Sequence, residues 1–216
     1  MKTINAEGKS LRTVSQQIKN SINGSGVSVS NADNIHGLAS GLKHGEVIIE
    51  GNSGDYLGAL NDGATIIVKK NVGKYAADNM TNGKIIIQGD ADYGAGQYCY
   101  GGTIVINGDA GDFTATMNKG ATIIVLGNVG NEAGTYMLDG DVVIIGNAGE
   151  NFANYLIRGN VYIAGDWKSL GHNTQIAPLT KQDIDKLQVY FNRYNIEADP
   201  INFKKIVAAS EKPFYK

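Results

Sequence analysis

Gly83-Lys84-Ile85-Ile86-Ile87-Gln88-Gly89-Asp90-Ala91-Asp92, followed by a run of small and aromatic residues to Gly102, is a unit that this chain repeats. The same opening recurs at Gly26, Gly45, Gly63, Gly83, Gly102, Gly120, Gly140 and Gly159, at intervals of 19, 18, 20, 19, 18, 20 and 19 residues. A unit this short cannot bury its apolar face alone and must stack on its neighbours, so the period predicts a solenoid. Each unit reads as a short β-branched run, a Gly/Asn/Asp turn and a second extended stretch. That is one coil of a β-helix, and it predicts an all-β fold.

A longer order overlies the short one. A shift of 57 residues lays Gly-Ala-Thr-Ile-Ile-Val at 63–68 on an identical stretch at 120–125, and Asn71-Val72-Gly73 on Asn128-Val129-Gly130. Glycines at such corners serve left-handed geometry and close approach of stacked backbones. Glycine-rich disorder is excluded by the apolar runs between the turns, which disordered segments lack.

Composition agrees with one repeat domain. The 216 residues contain 29 glycines and only 3 prolines, and the repeat accounts for the excess. A net charge of −2 with no basic stripe argues against nucleic acid or an anionic membrane as a partner. A single cysteine, Cys99, excludes an internal disulfide framework and suits a reducing compartment. With no signal-peptide pattern and no apolar run of membrane-spanning length, the expectation is a soluble, cytoplasmic protein.

Three segments follow: 1–25, an N-terminal strand and capping helix; 26–166, the repeats; and 167–216, a C-terminal helix and docking tail. Leu11, Val14, Ile18 and Ile22 recur at helical spacing and predict an amphipathic helix over 10–21 that covers the open end of the coils. Asn23-Gly24-Ser25-Gly26 punctuates the turn into the first coil. Aligned on their turns, the coils give one alternating set: Val47/Ile49, Ile66/Val68, Ile85/Ile87, Ile104/Ile106, Ile123/Val125, Val142/Ile144 and Val161/Ile163. All are Ile or Val, and they are assigned to the interior. The residues between them, Ile48, Ile67, Ile86, Val105, Ile124, Val143 and Tyr162, then face outwards as an apolar stripe that something must cover. Positions further out are mixed: Glu50, Lys69, Gln88, Asn107, Leu126, Ile145 and Ala164. A helix starting at Thr180, with Asp183 completing a partial capping box and Ile184, Leu187, Phe191 and Tyr194 on one face, is expected to cover part of the stripe. The remainder is left for a partner subunit or a second copy of the chain. The tail from Phe203 to Tyr215 is apolar enough to dock.

No cluster of catalytic residues emerges, so no catalytic, cofactor-binding or metal-ligating residue is assigned. Gly51-Asn52-Ser53-Gly54-Asp55 lacks the last glycine of a nucleophile elbow. The three histidines, His36, His44 and His172, have no partners at metal-ligand spacing; only His172 merits attention, and a loop role is the simpler one. Asp55, Asp90, Asp92, Asp109, Asp112 and Asp166 sit near turns, where Asp caps its own backbone, and are too sparse for a calcium β-roll. Gly94-Ala95-Gly96 has no strand–turn–helix context for a dinucleotide. Tyr56, Tyr75, Tyr98, Tyr100, Tyr136 and Tyr155 resemble a carbohydrate ladder but are assigned to aromatic stacking within or beside the core.

Specific residues resemble the GXGXG β-helix domain: Arg12-Thr13-Val14-Ser15, Gly54-Asp55-Tyr56-Leu57-Gly58, Ala91-Asp92-Tyr93-Gly94, Gly111-Asp112-Phe113 and Tyr136-Met137-Leu138-Asp139-Gly140. That domain closes the large subunit of glutamate synthase, stands alone in archaeal-type glutamate synthases, and occurs as one of the subunits of formylmethanofuran dehydrogenase. The tail Phe203-Lys204-Lys205-Ile206-Val207…Lys212-Pro213-Phe214-Tyr215 looks like that of the stand-alone glutamate synthase subunits. The resemblance implies a single-stranded right-handed parallel β-helix of about seven coils of 18–20 residues. It also implies a non-catalytic scaffold role beside glutamine amidotransferase and FMN-containing glutamate-forming subunits, with FMN and iron–sulfur clusters on those partners and none in this chain. Two alternatives stay open: the equivalent subunit of formylmethanofuran dehydrogenase or an N-methylglutamate synthase, and a free-standing hydrolase or carbohydrate-binding β-helix. A tributyrin-esterase label carried by some relatives has no support in the missing nucleophile elbow.

Overall fold

The computed structural model describes residues 1–22 and 26–212. The Asn23-Gly24-Ser25 turn and the tail residues Pro213, Phe214 and Tyr215 lie outside the described residues. In chain order the elements are β1 (Lys2–Asn5), α1 (Leu11–Ser21), β2 (Val27–Ser30), β3 (Glu46–Ile49), β4 (Asp62–Val68), β5 (Asn82–Ile87) and β6 (Thr103–Ile106). Then come β7 (Lys119–Val125), β8 (Asp139–Ile144), β9 (Asn160–Ile163), β10 (Thr174–Ala177), α2 (Lys181–Tyr194) and β11 (Lys204–Ala208). Strands β1 to β9 stack in sequence order, each parallel to the next, as a solenoid of about seven turns.

The β-branched runs form the strands, because branched side chains pack well on a pleated surface. All fourteen residues assigned to the interior are at most 1% exposed, which confirms the alternation. From β3 to β9 every coil advances by 19 residues in register, through Glu46, Thr65, Lys84, Thr103, Thr122, Asp141 and Asn160. The intervals of 18 and 20 expected from the glycines are therefore not coil lengths. Ala64 and Ala121 occupy the corner that glycine fills in the other coils, and Gly63 and Gly120 sit one residue earlier. A fully buried asparagine clamps each of these corners. Asn61 Nδ2 donates to the Ala64 carbonyl (2.9 Å) and Asn61 Oδ1 accepts from its N–H; Asn118 treats Ala121 identically. The 57-residue order reappears as strand lengths of 4, 7, 6, 4, 7, 6 and 4 residues from β3 to β9.

The second stretch of each coil differs from the extended chain predicted. It is a run of turns in which every second residue is left-handed: Tyr56, Gly58 and Leu60; Gly94, Gly96 and Tyr98; Glu132, Gly134 and Tyr136. In the first of these, Tyr56 and Leu60 donate their N–H groups to the following coil (Lys74 and Asp78 carbonyls), while Gly58 donates to the preceding one (Leu38 carbonyl). The other coils repeat this pattern. The chain thus curls tightly while its polar backbone stays paired, which a strand could not do at that corner.

Beside this run stands a ladder of turn side chains at a constant 19-residue spacing: Asn52, Asn71, Asp90, Asp109, Asn128 and Asn147 each accept the N–H of the corresponding residue one coil on. The expectation that the aspartates cap their own backbone needs correction. Most cap the next coil instead, including Asp55 (Lys74 N–H, 2.9 Å) and Asp112 (Asn131 N–H, 2.7 Å); Asp92 alone of these bonds its own neighbour, Tyr93. Gly89, Gly108, Gly127, Gly146 and Gly165 leave room for the side chains of the ladder. A Cβ at Gly108 would overlap Asp90 Oδ1.

Both ends are closed. Ser10 caps α1, whose Val14 and Ile18, with the C-cap Ile22, are buried against the first coils as the N-terminal pattern predicted, whereas Leu11 of that pattern is exposed. At the other end the tail forms β11, antiparallel to β9, and β10 pairs outside it. Ile206 completes the main core and Phe203 joins a second one.

Candidate functional site

The residues that sequence reading singled out for chemistry are occupied structurally; His36 and Asp55 meet, while Ser53 beside them is buried. Cys99 is buried, its Sγ 3.1 Å from the Ala77 carbonyl, and burial pushes the thiol up to about 12. It is not poised as a nucleophile. Ser53 is buried in a column of small and apolar turn residues that continues through Val72, Ala91 and Ala110. His36 Nδ1 accepts the Asp55 N–H at 3.0 Å and lies 3.3 Å from its carboxylate. His172 stacks on Tyr155 with ring centroids 5.5 Å apart. Among the described residues, no three His, Cys, Asp or Glu side chains are grouped to hold a metal ion. An iron–sulfur cluster needs several thiolates, which one buried cysteine does not supply.

The tyrosines form two columns on the turn side. Tyr56 stacks on Tyr75 (4.9 Å), Tyr75 meets Tyr93 edge-on (5.6 Å), and Tyr93 packs on Phe113 (5.1 Å). Tyr136 stacks on Tyr155 at 5.3 Å and 6°. The stacking expected is therefore observed for Tyr56, Tyr75, Tyr136 and Tyr155, whereas Tyr98 and Tyr100 share Lys119, at 5.8 and 4.1 Å. In Tyr56–Tyr75 and Tyr136–Tyr155 the ring faces are turned to one another. The exposed apolar side chains of the turn side come from alternate coils: Tyr56 (43%) and Leu60 (59%) between β3 and β4, Tyr100 (55%) between β5 and β6, and Tyr136 (37%) between β7 and β8. Lys119 lies over the Tyr100 ring at 4.1 Å and donates to its hydroxyl. Tyrosine over a polar-rimmed apolar surface is the composition of a protein-binding surface.

The outward stripe of the strands is the second apolar surface. Helix α2 covers its last four coils, where Val105, Ile124, Val143 and Tyr162 form a second core with Leu187, Phe191 and Phe203. Ile184, also expected to pack there, stays half-buried at the margin. The mixed outer positions now make sense. Leu126, Ile145 and Ala164 lie beneath α2, whereas Glu50, Lys69, Gln88 and Asn107 lie beyond its footprint. That change from polar to apolar was the signal in the sequence for where the helix lands.

Two polar clusters, unforeseen from the sequence, pin α2 down. Asp183 is 4% exposed and accepts from the Tyr162 hydroxyl (2.6 Å), Lys205 Nζ (2.8 Å), and the Thr180 hydroxyl and N–H (2.7 and 2.9 Å). Burial opposes its ionisation, but the Lys205 ammonium and the hydroxyl donors outweigh it and hold the carboxyl well below its usual range. Burial, together with the Asp183 and Asp141 carboxylates, pushes the Tyr162 phenol far up. Asp141 accepts from Lys186 (3.0 Å), Tyr190 (2.9 Å) and Asn160 (3.1 Å), and burial pushes Tyr190 up to about 12. Shifted groups in a cleft can mark catalysis. Here each is saturated by partners across a helix–sheet seam, which is the arrangement of a lock.

A family model described as the GXGXG motif matches residues 2–198, and the chain belongs to that family. No curated protein matches it significantly. The alternating glycines of the motif's name suit a backbone in which every second residue is left-handed, as in Gly94-Ala95-Gly96. Among the described residues no helix is long and apolar enough to cross a membrane.

Proposed function

We propose that this chain is a non-catalytic scaffold subunit of a glutamate synthase-type oxidoreductase. It packs beside a glutamine amidotransferase and an FMN-containing, glutamate-forming subunit, which carry the flavin and any iron–sulfur cluster. Membership of the GXGXG family supplies the context, through the resemblance to glutamate synthase domains. The observation that carries the scaffold reading is the exposure of Tyr56, Leu60, Tyr100 and Tyr136 at intervals along the turn side, since exposed tyrosine is enriched where proteins meet. The chain's own part is to present a rigid, rod-like surface on which catalytic subunits are held in fixed relation, in keeping with its continuous sheet.

The test is purification of the tagged chain from its native host, with co-purifying subunits identified by mass spectrometry and glutamine-dependent glutamate formation assayed. The expected result is a complex containing amidotransferase and flavoprotein chains that Leu60→Ser with Tyr100→Ser disassembles while the solenoid stays folded. Recovery of formylmethanofuran dehydrogenase or N-methylglutamate synthase subunits would replace the reading. Ester turnover by the isolated chain would overturn it.

A further inference from the structure

The outward stripe continues beyond α2 for three coils, as Ile48 on β3, Ile67 on β4 and Ile86 on β5, all half-buried. It stops at β2, where Ser28 takes the equivalent place and donates to the Glu50 carboxylate at 2.6 Å. The covered half shows what fits this surface. One turn of helix rises about 5.4 Å and one coil about 4.8 Å, so successive turns of a helix meet successive coils. In α2, Asp183 meets Tyr162 of β9, Lys186 meets Asp141 of β8, Tyr190 reaches Thr122 of β7, and Tyr194 lies under Lys84 of β5. There α2 ends, with Asn195 left-handed at its C-cap.

Charge around the uncovered coils is ordered along the same line. Lys84, over the Tyr194 ring, flanks the stripe on β5 nearest the end of α2, Lys69 flanks it on the middle coil, and Glu46 and Glu50 flank it at the far end. A helix continuing the line of α2 in the same direction would start at the lysines and finish at the glutamates. Its first turn, which favours acidic residues, would face Lys69 and Lys84; its last turn, which favours basic ones, would face Glu46 and Glu50. Its N-terminus would also meet the C-terminal, negative end of the α2 dipole. The bare dipole of such a helix opposes these surface charges, but it amounts to about half a charge at each end, and the full charges of the terminal-turn side chains outweigh it; in the opposite direction those side chains and the end of α2 both oppose binding.

We infer that Ile48, Ile67 and Ile86 seat an amphipathic helix from a partner chain, laid end-to-end with α2 and parallel to it, acidic in its first turn and basic in its last. The seat of three coils is about 14 Å long, or roughly ten helical residues. The inference rests on the reading of this chain as a subunit of a complex, but its test is independent of that reading.

Two fluorescently labelled 12-residue helical peptides with one apolar stripe are titrated with the full chain by anisotropy. One carries Glu in the first turn and Lys in the last; the other has the charges exchanged. The expected result is about tenfold tighter binding of the first, weakening with salt. Ile67→Lys should abolish binding with an unchanged circular dichroism spectrum. The exposed pair Lys69→Glu with Glu50→Lys should reduce or invert the preference, which covers the case in which Ile67→Lys perturbs folding. Equal affinity for both peptides, or binding indifferent to both sets of substitutions, overturns the inference. So does self-association that Ile67→Lys abolishes, which would assign the face to a second copy. A native complex that survives Ile67→Lys overturns the helix seat alone and leaves the scaffold reading standing.

Discussion

The strand side and the turn side of each coil are held by the same kind of bond, a backbone N–H given to the neighbouring coil. They obey different side-chain rules. On the strand side the backbone is extended, alternation is strict, and the two inward positions shared in register by β3 to β9 are all Ile or Val. On the turn side every second residue is left-handed, and that position accepts Tyr56, Leu60, Gly94, Phe113 or Glu132. The strand side is selected by burial, the turn side by backbone conformation. Where burial decides, residue type is narrow; where the backbone decides and the side chain points to solvent, it is broad.

The largest effect is expected on the strand side. Ile87→Asp places an unpaired carboxylate in a fully buried position and should cost about 4 kcal/mol or more, unfolding the central coils. Gln88→Asp, one residue away and exposed, should leave the denaturation midpoint near wild type. Equal tolerance of the two would break the alternation.

Next comes the seam that ties the strand side to α2. Asp183→Ala strands Lys205 and two hydroxyl donors, and should cost about 3 kcal/mol, read as lost hydrogen-exchange protection in α2 with the coils still protected. The pH limits follow from the shifts. The Asp183 carboxyl is depressed in the folded state, so its contribution is complete above the unfolded value of about 4 and is lost only as pH falls through the lower folded one. Tyr190 is raised to about 12, so its contribution is intact below about pH 10 and fades as pH climbs towards 12. Hydrogen exchange corrected for intrinsic rate should show α2 docked from pH 5 to 9. Release of α2 within that window would contradict the lock.

On the turn side the effects are smaller and of both signs. Gly108→Ala drives a methyl into Asp90 Oδ1 and the Gly89 backbone, breaks one rung of the ladder, and should cost about 2 kcal/mol in urea unfolding. Leu60→Gly removes a left-handed leucine that is mostly exposed, and should leave stability unchanged or raise it by up to about 1 kcal/mol. A clear loss on Leu60→Gly would mean that the turn side too is selected by packing.

What the sequence determined by itself was whatever a local rule expresses. Period, interior alternation, the capping helix from Leu11 and the helix from Thr180 follow from side-chain spacing, and family membership from motif residues along most of the chain. The exact coil length was hidden, because Ala64 and Ala121 can stand at a glycine corner only when Asn61 and Asn118 clamp them. The left-handed alternation was hidden because Tyr, Leu and Phe carry no propensity for positive φ; neighbouring coils impose it through hydrogen bonds. Tertiary structure alone decided how α2 is pinned to the sheet. Asp183, Tyr162 and Lys205 are distant in sequence, and each reads as an ordinary surface or stripe residue until the helix folds back across the sheet. Burial of three polar groups is tolerable only when they satisfy one another, and that is a property of their meeting in space.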